Sequence, residues 1–439
     1  MRRGTWRAVV ASVVTTGVIL VAAGCAGESG NDGGDAAGDG AVTVWATSGT
    51  DQVLTQSQER WNAQDGAAQL DIQFFETDPY KSKLRTAVSA GEGPTVFHNW
   101  GGGGLKTYVD AGEVESLQAA FDAAPELRDR IFPSVLNGAS VDGEIYATPY
   151  NGVQPVVIYY NNDVFEQAGV EVPATWDELL DSVEKFKAAG ITPFSIGGAS
   201  RWPYLMWIAY LTDRIGGPEV FNAVVNGESD AWENPSIIEA AGKIQELVKA
   251  GGFGDSYSSV DANQGAAEAL VYTGKAAMQL QGAWAYSGTY LTAAPDFVNG
   301  GSLGWTTFPE VAGGKGDPSN VTGNLSGYFS ITSNSSDEDK KAATDWLVNG
   351  VFDDAYVDDL IETGAVPPIS GLDDKIAASD APEWNQFIYE TAQDAGNFQL
   401  SWDQALDADQ AEALLTNLEQ LFLLQISPEE FAAAMNEAA

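Results

Sequence analysis

Short apolar runs recur along this chain, and most are followed by a stretch whose apolar residues return at helical spacing. The run Val42-Thr43-Val44-Trp45 reads as a buried strand. Residues 53–61 then have helical spacing, 70–75 read as a second strand, 80–90 as a helix and 95–97 as a third strand. Parallel strands need a crossover long enough to hold a helix, so this alternation predicts an α/β lobe with a mainly parallel sheet. After a hairpin-like segment at 141–144, residues 155–160 read as a further strand. Thr175 and Glu178 form a capping box, and Trp176, Leu179, Leu180, Val183 and Phe186 line one face of the helix it starts. Gly190 ends that helix and 191–196 resume a strand, so the alternation continues into a second lobe. Helical spacing returns at 237–249, 337–349 and 411–425, and Ser427 with Glu430 supplies a second capping box.

At 439 residues the chain exceeds what one hydrophobic core usually serves, which favours two domains. Its start has the pattern of an export signal: Arg2, Arg3 and Arg7 precede an uncharged stretch, 8–23, of signal-core length. Ala22-Ala23-Gly24-Cys25 resembles a bacterial lipobox, in which the chain is cut before a cysteine that takes lipid, although Ala22 stands where leucine is usual. Cys25 is the only cysteine, so no disulfide or thiolate metal site forms within one chain. Residues 26–40 are small and polar and cannot bury enough surface to order themselves. The expectation is a signal peptide at 1–24, then a lipidated Cys25 and tether at 25–40, holding a folded domain at the outer face of the cell membrane.

Several kinds of chemistry are excluded or disfavoured. Acidic residues number 62 against 21 basic ones, a formal charge of −41 that repels nucleic acid. One histidine, His98, leaves little material for zinc binding or a Ser-His-Asp triad, and a structural or ligand hydrogen-bonding role suits it better. The run Gly101-Gly102-Gly103-Gly104 lacks the spacing and lysine of a phosphate loop, yet it follows a strand, where glycine admits a ligand close to the backbone. No cofactor, metal or catalytic residue is expected. Tryptophan is more informative, at 13 residues, because its face suits the C–H-rich face of a pyranose ring. Trp176 and Trp346 lie on apolar helix faces and read as core, whereas Trp100, Trp202, Trp284 and Trp402 sit in or beside loops containing Gly, Pro or Ser.

Three segments together resemble the maltose-binding-protein-like solute-binding proteins of ABC importers, family 1. They are IYYNNDVFEQAG (158–169) with PATWDEL (173–179) and GITP (190–193); GKAAM (274–278) with GAWA (282–285); and VFHNWGGGGLKTYVDAG (96–112). The resemblance implies a type II periplasmic-binding-protein fold of two α/β lobes, with residues 41–150 and 326–374 in one and 151–325 and 375–439 in the other. It implies that a sugar sits in the cleft between them. Trp100, Trp202, Trp284 and Trp402 would stack on that sugar, beside the Gly101 backbone. Tyr150, Asn151, Asn324, Asp403, Asp78 and Glu76 would supply polar contacts. The implied partners are an oligosaccharide, the membrane permease subunits and, through the lipid, the membrane, with the protein itself a monomer. The segments WGGGG (100–104) and LSWDQ (400–404) resemble those of actinobacterial binders of β-linked oligosaccharides. A short xylo-oligosaccharide such as xylobiose is therefore the first expected ligand, followed by cello- and malto-oligosaccharides. Two other classes stay open on the residues alone: a secreted carbohydrate-active enzyme, and a surface module for polysaccharide adhesion or sensing.

Overall fold

The computed structural model describes residues 41–439, so the proposed signal, lipidated Cys25 and tether lie outside the described residues. The strands are β1 (Val42–Thr47), β2 (Leu70–Phe75), β3 (Val96–Asn99), β4 (Ser140–Val141), β5 (Glu144–Ile145), β6 (Thr148–Pro149), β7 (Gln154–Asn161), β8 (Thr192–Ser195), β9 (Ala276–Gly282), β10 (Leu303–Thr306), β11 (Val321–Asn324), β12 (Tyr328–Ile331) and β13 (Phe398–Leu400). β4 and β5 form a separate hairpin. The others build two sheets, ordered β2-β1-β3-β12-β6 and β13-β11-β7-β9-β8, with β10 also paired to β7.

In the first sheet β1 runs parallel to both β2 and β3, and its register sets Val44 beside Ile72 and Val96 in one buried apolar row. β12 alone runs against its neighbours. In the second sheet β7 plays that part, antiparallel to β9, β10 and β11, while β8 is parallel to β9 and β13 to β11. The reversed strand of each sheet is the one that enters it from the other: the chain passes from β6 to β7 across residues 150–153 and back from β11 to β12 across 325–327. Within each sheet the remaining strands share one direction, so their carboxyl ends lie along one edge of that sheet.

Helices cover the sheets. Trp176–Ala188 carries the capping box read from its sequence and buries Trp176, Leu179, Val183 and Phe186, while Asp337–Asn349 buries Ala343, Trp346 and Leu347. Pro203–Gly216 is buried on nearly every side, which suits its almost wholly apolar sequence. Its last turn brings charge into the second lobe. The side chain of Arg214 is 1% exposed, yet it donates to Asp213 Oδ1 at 3.1 Å and to the carbonyls of Pro318 at 3.0 Å and Phe308 at 3.4 Å. Asn320 Nδ2 closes the network on both Asp213 oxygens, at 3.1 and 3.0 Å. Burial raises the Asp213 carboxyl above its usual range, against the pull of Asn320 and Arg214. A buried pair contributes little over an apolar substitute, but removing one partner strands the other charge. Arg214→Ala is therefore expected to lower the unfolding free energy by about 3–5 kcal/mol in urea denaturation; a loss under about 1 kcal/mol, the range of an exposed pair, would show that the network is not what holds this helix to the 308–320 loop.

Candidate ligand cleft

The shared direction of the strands decides where a ligand fits, since binding sites of open α/β sheets form beyond the carboxyl ends of the strands. Here both sheets aim those ends at one cavity of about 710 Å3. From the first sheet come Thr47 at the end of β1 and Asp51 after it, Glu76 after β2, Trp100 after β3 and Tyr150 after β6. From the second come Trp202 after β8, Trp284 after β9, Asn324 at the end of β11, and Ser401, Asp403 and Gln404 after β13. A larger hollow of about 1160 Å3, bordered by Gly102, Phe132, Val225 and Phe398, has no buried polar atom lacking a partner. The cleft has four: His98 Nε2, Trp202 Nε1, Glu268 Oε2 and Gln404 Oε1. Buried polar groups in native proteins are nearly always paired, and four of the fourteen unpaired ones among the described residues belong to residues that line this cavity.

Three of the four tryptophans singled out in the sequence line the cavity. Trp100 is half-buried, with the His98 ring edge-on at 4.4 Å and Lys81 Nζ 4.9 Å from its centroid. Trp202 and Trp284 lie 6.0 Å apart at 58°, forming an angled aromatic wall in the second lobe. The Trp284 ring folds back over the end of β9, and a Cβ on Gly282 would lie 1.9 Å from it, so only glycine admits this pose. Trp402 does not line the cavity. It is 0% exposed, stacks on Phe221 at 4.1 Å and 2°, and donates its indole N–H to Gln399 Oε1 at 2.8 Å. One helical turn, Trp402–Ala405, separates it from its neighbours, which face the cleft while the apolar ring fills the lobe core.

The polar residues divide similarly. Tyr150, Asn151, Asn324 and Glu76 line the cavity. Tyr150 stacks on Phe329 at 3.8 Å and shares a 3.0 Å hydrogen bond with His98 Nδ1, while Asn324 Nδ2 donates to Gln154 Oε1 at 3.2 Å. Asp403 lines it too, and reaches Lys81 of the first lobe at 3.7 Å. Asp78 lies outside the lining. It accepts 2.7 Å from Asn263 Nδ2 of the second lobe, so its carboxylate is engaged in a contact across the cleft. Gly101 is also set back, because φ +76° lets it turn the chain into helix Gly102–Asp110 with Gly138 O 2.4 Å from where its Cβ would be. Glu268, Gln404 and Asn263 were not anticipated as site residues, although Gln404 stands in the LSWDQ segment two residues after Trp402.

Two sheets whose strand ends enclose an aromatic-walled cleft define a two-lobed binding protein. Residues 45–357 match the model of the bacterial extracellular solute-binding proteins, and the chain belongs to that family. It is similar to proteins described as probable sugar-binding periplasmic proteins from Rhizobium meliloti (30% identity, covering 49% of this chain and 51% of that one) and Brucella melitensis (29%, covering 49% and 50%). The chain thus spans about half the length of the curated relatives it matches. A solved structure described in connection with xylan utilization by the thermophilic bacterium Caldanaerobius polysaccharolyticus has a TM-score of 0.80 at 28% identity, covering 90% of this chain and 99% of that one. A chitin oligosaccharide binding protein shares the fold, with a TM-score of 0.77 at 24% identity, covering 90% and 97%. Among the described residues no helix is long and apolar enough to cross a membrane.

His98 gives the cleft floor a pH signature. Burial, and secondarily the charge of Lys81, lowers its pKa to about 3. An unfolded histidine titrates near pH 6.5, so the stability gained by keeping His98 neutral is fully present above that pH and lost as pH falls toward 3. Between pH 7 and pH 5 the protein should lose about 2 kcal/mol more stability than its His98→Gln variant; parallel stability curves for the two would show that His98 takes up a proton freely.

Proposed function

We propose that this chain is the extracytoplasmic substrate-binding subunit of an ABC importer, capturing a neutral oligosaccharide by closure of its two lobes and passing it to a membrane permease. The observation that carries this reading is the cleft itself, with Trp100 from one lobe, Trp202 and Trp284 from the other, and four unpartnered buried polar atoms around them. Aromatic faces with a few placed hydrogen-bonding groups are what a polyhydroxylated ring requires. The sugar-binding descriptions of the relatives support the same class.

Charge bears on the ligand's chemistry. Asp51, Glu76, Glu268, Glu362 and Asp403 line the cavity, and the single lysine there, Lys81, is turned toward Asp403. An anionic sugar would meet like charge with no free cation, so a neutral one fits best. The likeness to the protein connected with xylan utilization favours a xylo-oligosaccharide such as xylobiose, ahead of cello- and malto-oligosaccharides. Closure needs contacts that differ between open and closed states, and a ring held between tryptophans of opposite lobes provides them. We further propose that the protein is a monomer tethered through lipid on Cys25, and that it performs no chemistry on its ligand.

Calorimetric titration with xylo-, cello-, malto- and chito-oligosaccharides tests the reading. Micromolar or tighter binding to one series without hydrolysis is expected, and Trp284→Ala should weaken it by at least tenfold, about 1.4 kcal/mol. Silence across the panel, or release of shortened products, would contradict it.

A further inference from the structure

Glu268 stands on the helix Ala266–Tyr272, 3% exposed, and borders the cavity beside the tryptophan wall. Its two carboxyl oxygens are treated differently. Gln279 Nε2 donates to Oε1 at 2.9 Å and Gln281 Nε2 at 3.4 Å, whereas Oε2 has no partner. The orientation of both amides is fixed from behind. Gln279 Oε1 accepts the Tyr290 hydroxyl at 2.7 Å, and Gln281 Oε1 accepts the Gly282 N–H at 3.0 Å, so each glutamine must turn its NH2 toward Glu268. Oε1 is thereby committed as an acceptor, and any proton the carboxyl carries sits on Oε2, the buried atom that has no partner, in a residue lining the cleft.

A carboxyl kept only to brace Gln279 and Gln281 has no use for a second oxygen that is buried and unpaired. Resting on the receptor reading above, we propose that Glu268 Oε2 is the second lobe's acceptor for a ligand hydroxyl, and that the ionised carboxylate is the form that binds. In the empty protein burial pushes this carboxyl above its usual range, against the pull of its own backbone N–H and the two glutamines. The titratable groups packed near it are the phenols of Tyr159 and Tyr290, and neither supplies a compensating positive charge. A hydroxyl donating to Oε2 favours the charged form, so at a pH where Oε2 still carries its proton, ligand entry moves that proton to solvent. Affinity then rises with pH through the titration of Glu268 and levels off above it. His98, with its pKa held near 3, contributes no proton between pH 5 and 7.

The probe is xylobiose, or whichever neutral disaccharide of the panel the unaltered protein binds. Glu268→Gln keeps an acceptor for both glutamines and replaces Oε2 with a group that only donates. It should keep its thermal midpoint, bind at least tenfold more weakly and lose the rise of affinity with pH between 4.5 and 7. For the unaltered protein, the binding heat at the lower end of that range should depend on the ionisation enthalpy of the buffer, which reports the released proton even if the variant folds poorly. Unchanged affinity in Glu268→Gln, or buffer-independent heats throughout that range, overturns the role of Glu268 and leaves the receptor reading standing. An unaltered, folded protein that binds none of the panel's sugars overturns the receptor reading and this inference together.

Discussion

Everything at the cleft depends on one constraint: in each sheet the strands opposed to the single reversed one, β10 excepted, deliver their carboxyl ends to the same cavity. The constraint is met because the two reversed strands, β7 and β12, are the ones that carry the chain between lobes. They enter from the cleft side, with Gln154 and Gly327 bordering the cavity, while β1, β2, β3, β8, β9 and β13 run toward it. Loops that follow strands therefore supply much of the cavity lining, with helix residues such as Met206, Glu268 and Leu360 completing it. The helices and cores behind them hold those loops in place.

The crossover segments are tied firmly on the first-lobe side. Tyr150 stacks on Phe329, pairs with His98, and accepts the Tyr356 hydroxyl on its carbonyl at 2.8 Å. Ser326 Oγ donates to Asn151 O at 2.8 Å, joining the outgoing and returning strands. Across the mouth, helix Gly102–Asp110 packs against Leu400 and the turn Trp402–Ala405, and two polar pairs meet, Asp78 with Asn263 and Lys81 with Asp403. Partly exposed pairs of this kind contribute on the order of 1 kcal/mol or less, so they bias the lobes without locking them.

Much of this was legible in the sequence because it rests on periodicity. The runs at β1, β2, β3 and β7 and the capping boxes at Thr175 and Ser427 are local signals, and local burial decided them. Trp100, Trp202 and Trp284 stood out because large apolar rings in glycine- and proline-containing loops have no core to enter. The same reasoning placed Trp402 in the cleft, where the structure has it in the core: the turn Trp402–Ala405 is too short to show a periodicity, and the Phe221 ring that receives it is distant in sequence. Glu268 was hidden for the opposite reason. It sits in a helix of ordinary spacing, and its importance arises from Gln279, Gln281 and Tyr290, which only the folded sheet and its neighbouring turn bring to it.

Small-angle X-ray scattering of residues 41–439, with and without a saturating neutral oligosaccharide that calorimetry shows to bind, reads lobe closure itself. A smaller radius of gyration is expected with the sugar than without it. An unchanged scattering curve at full occupancy would contradict capture by closure of the two lobes.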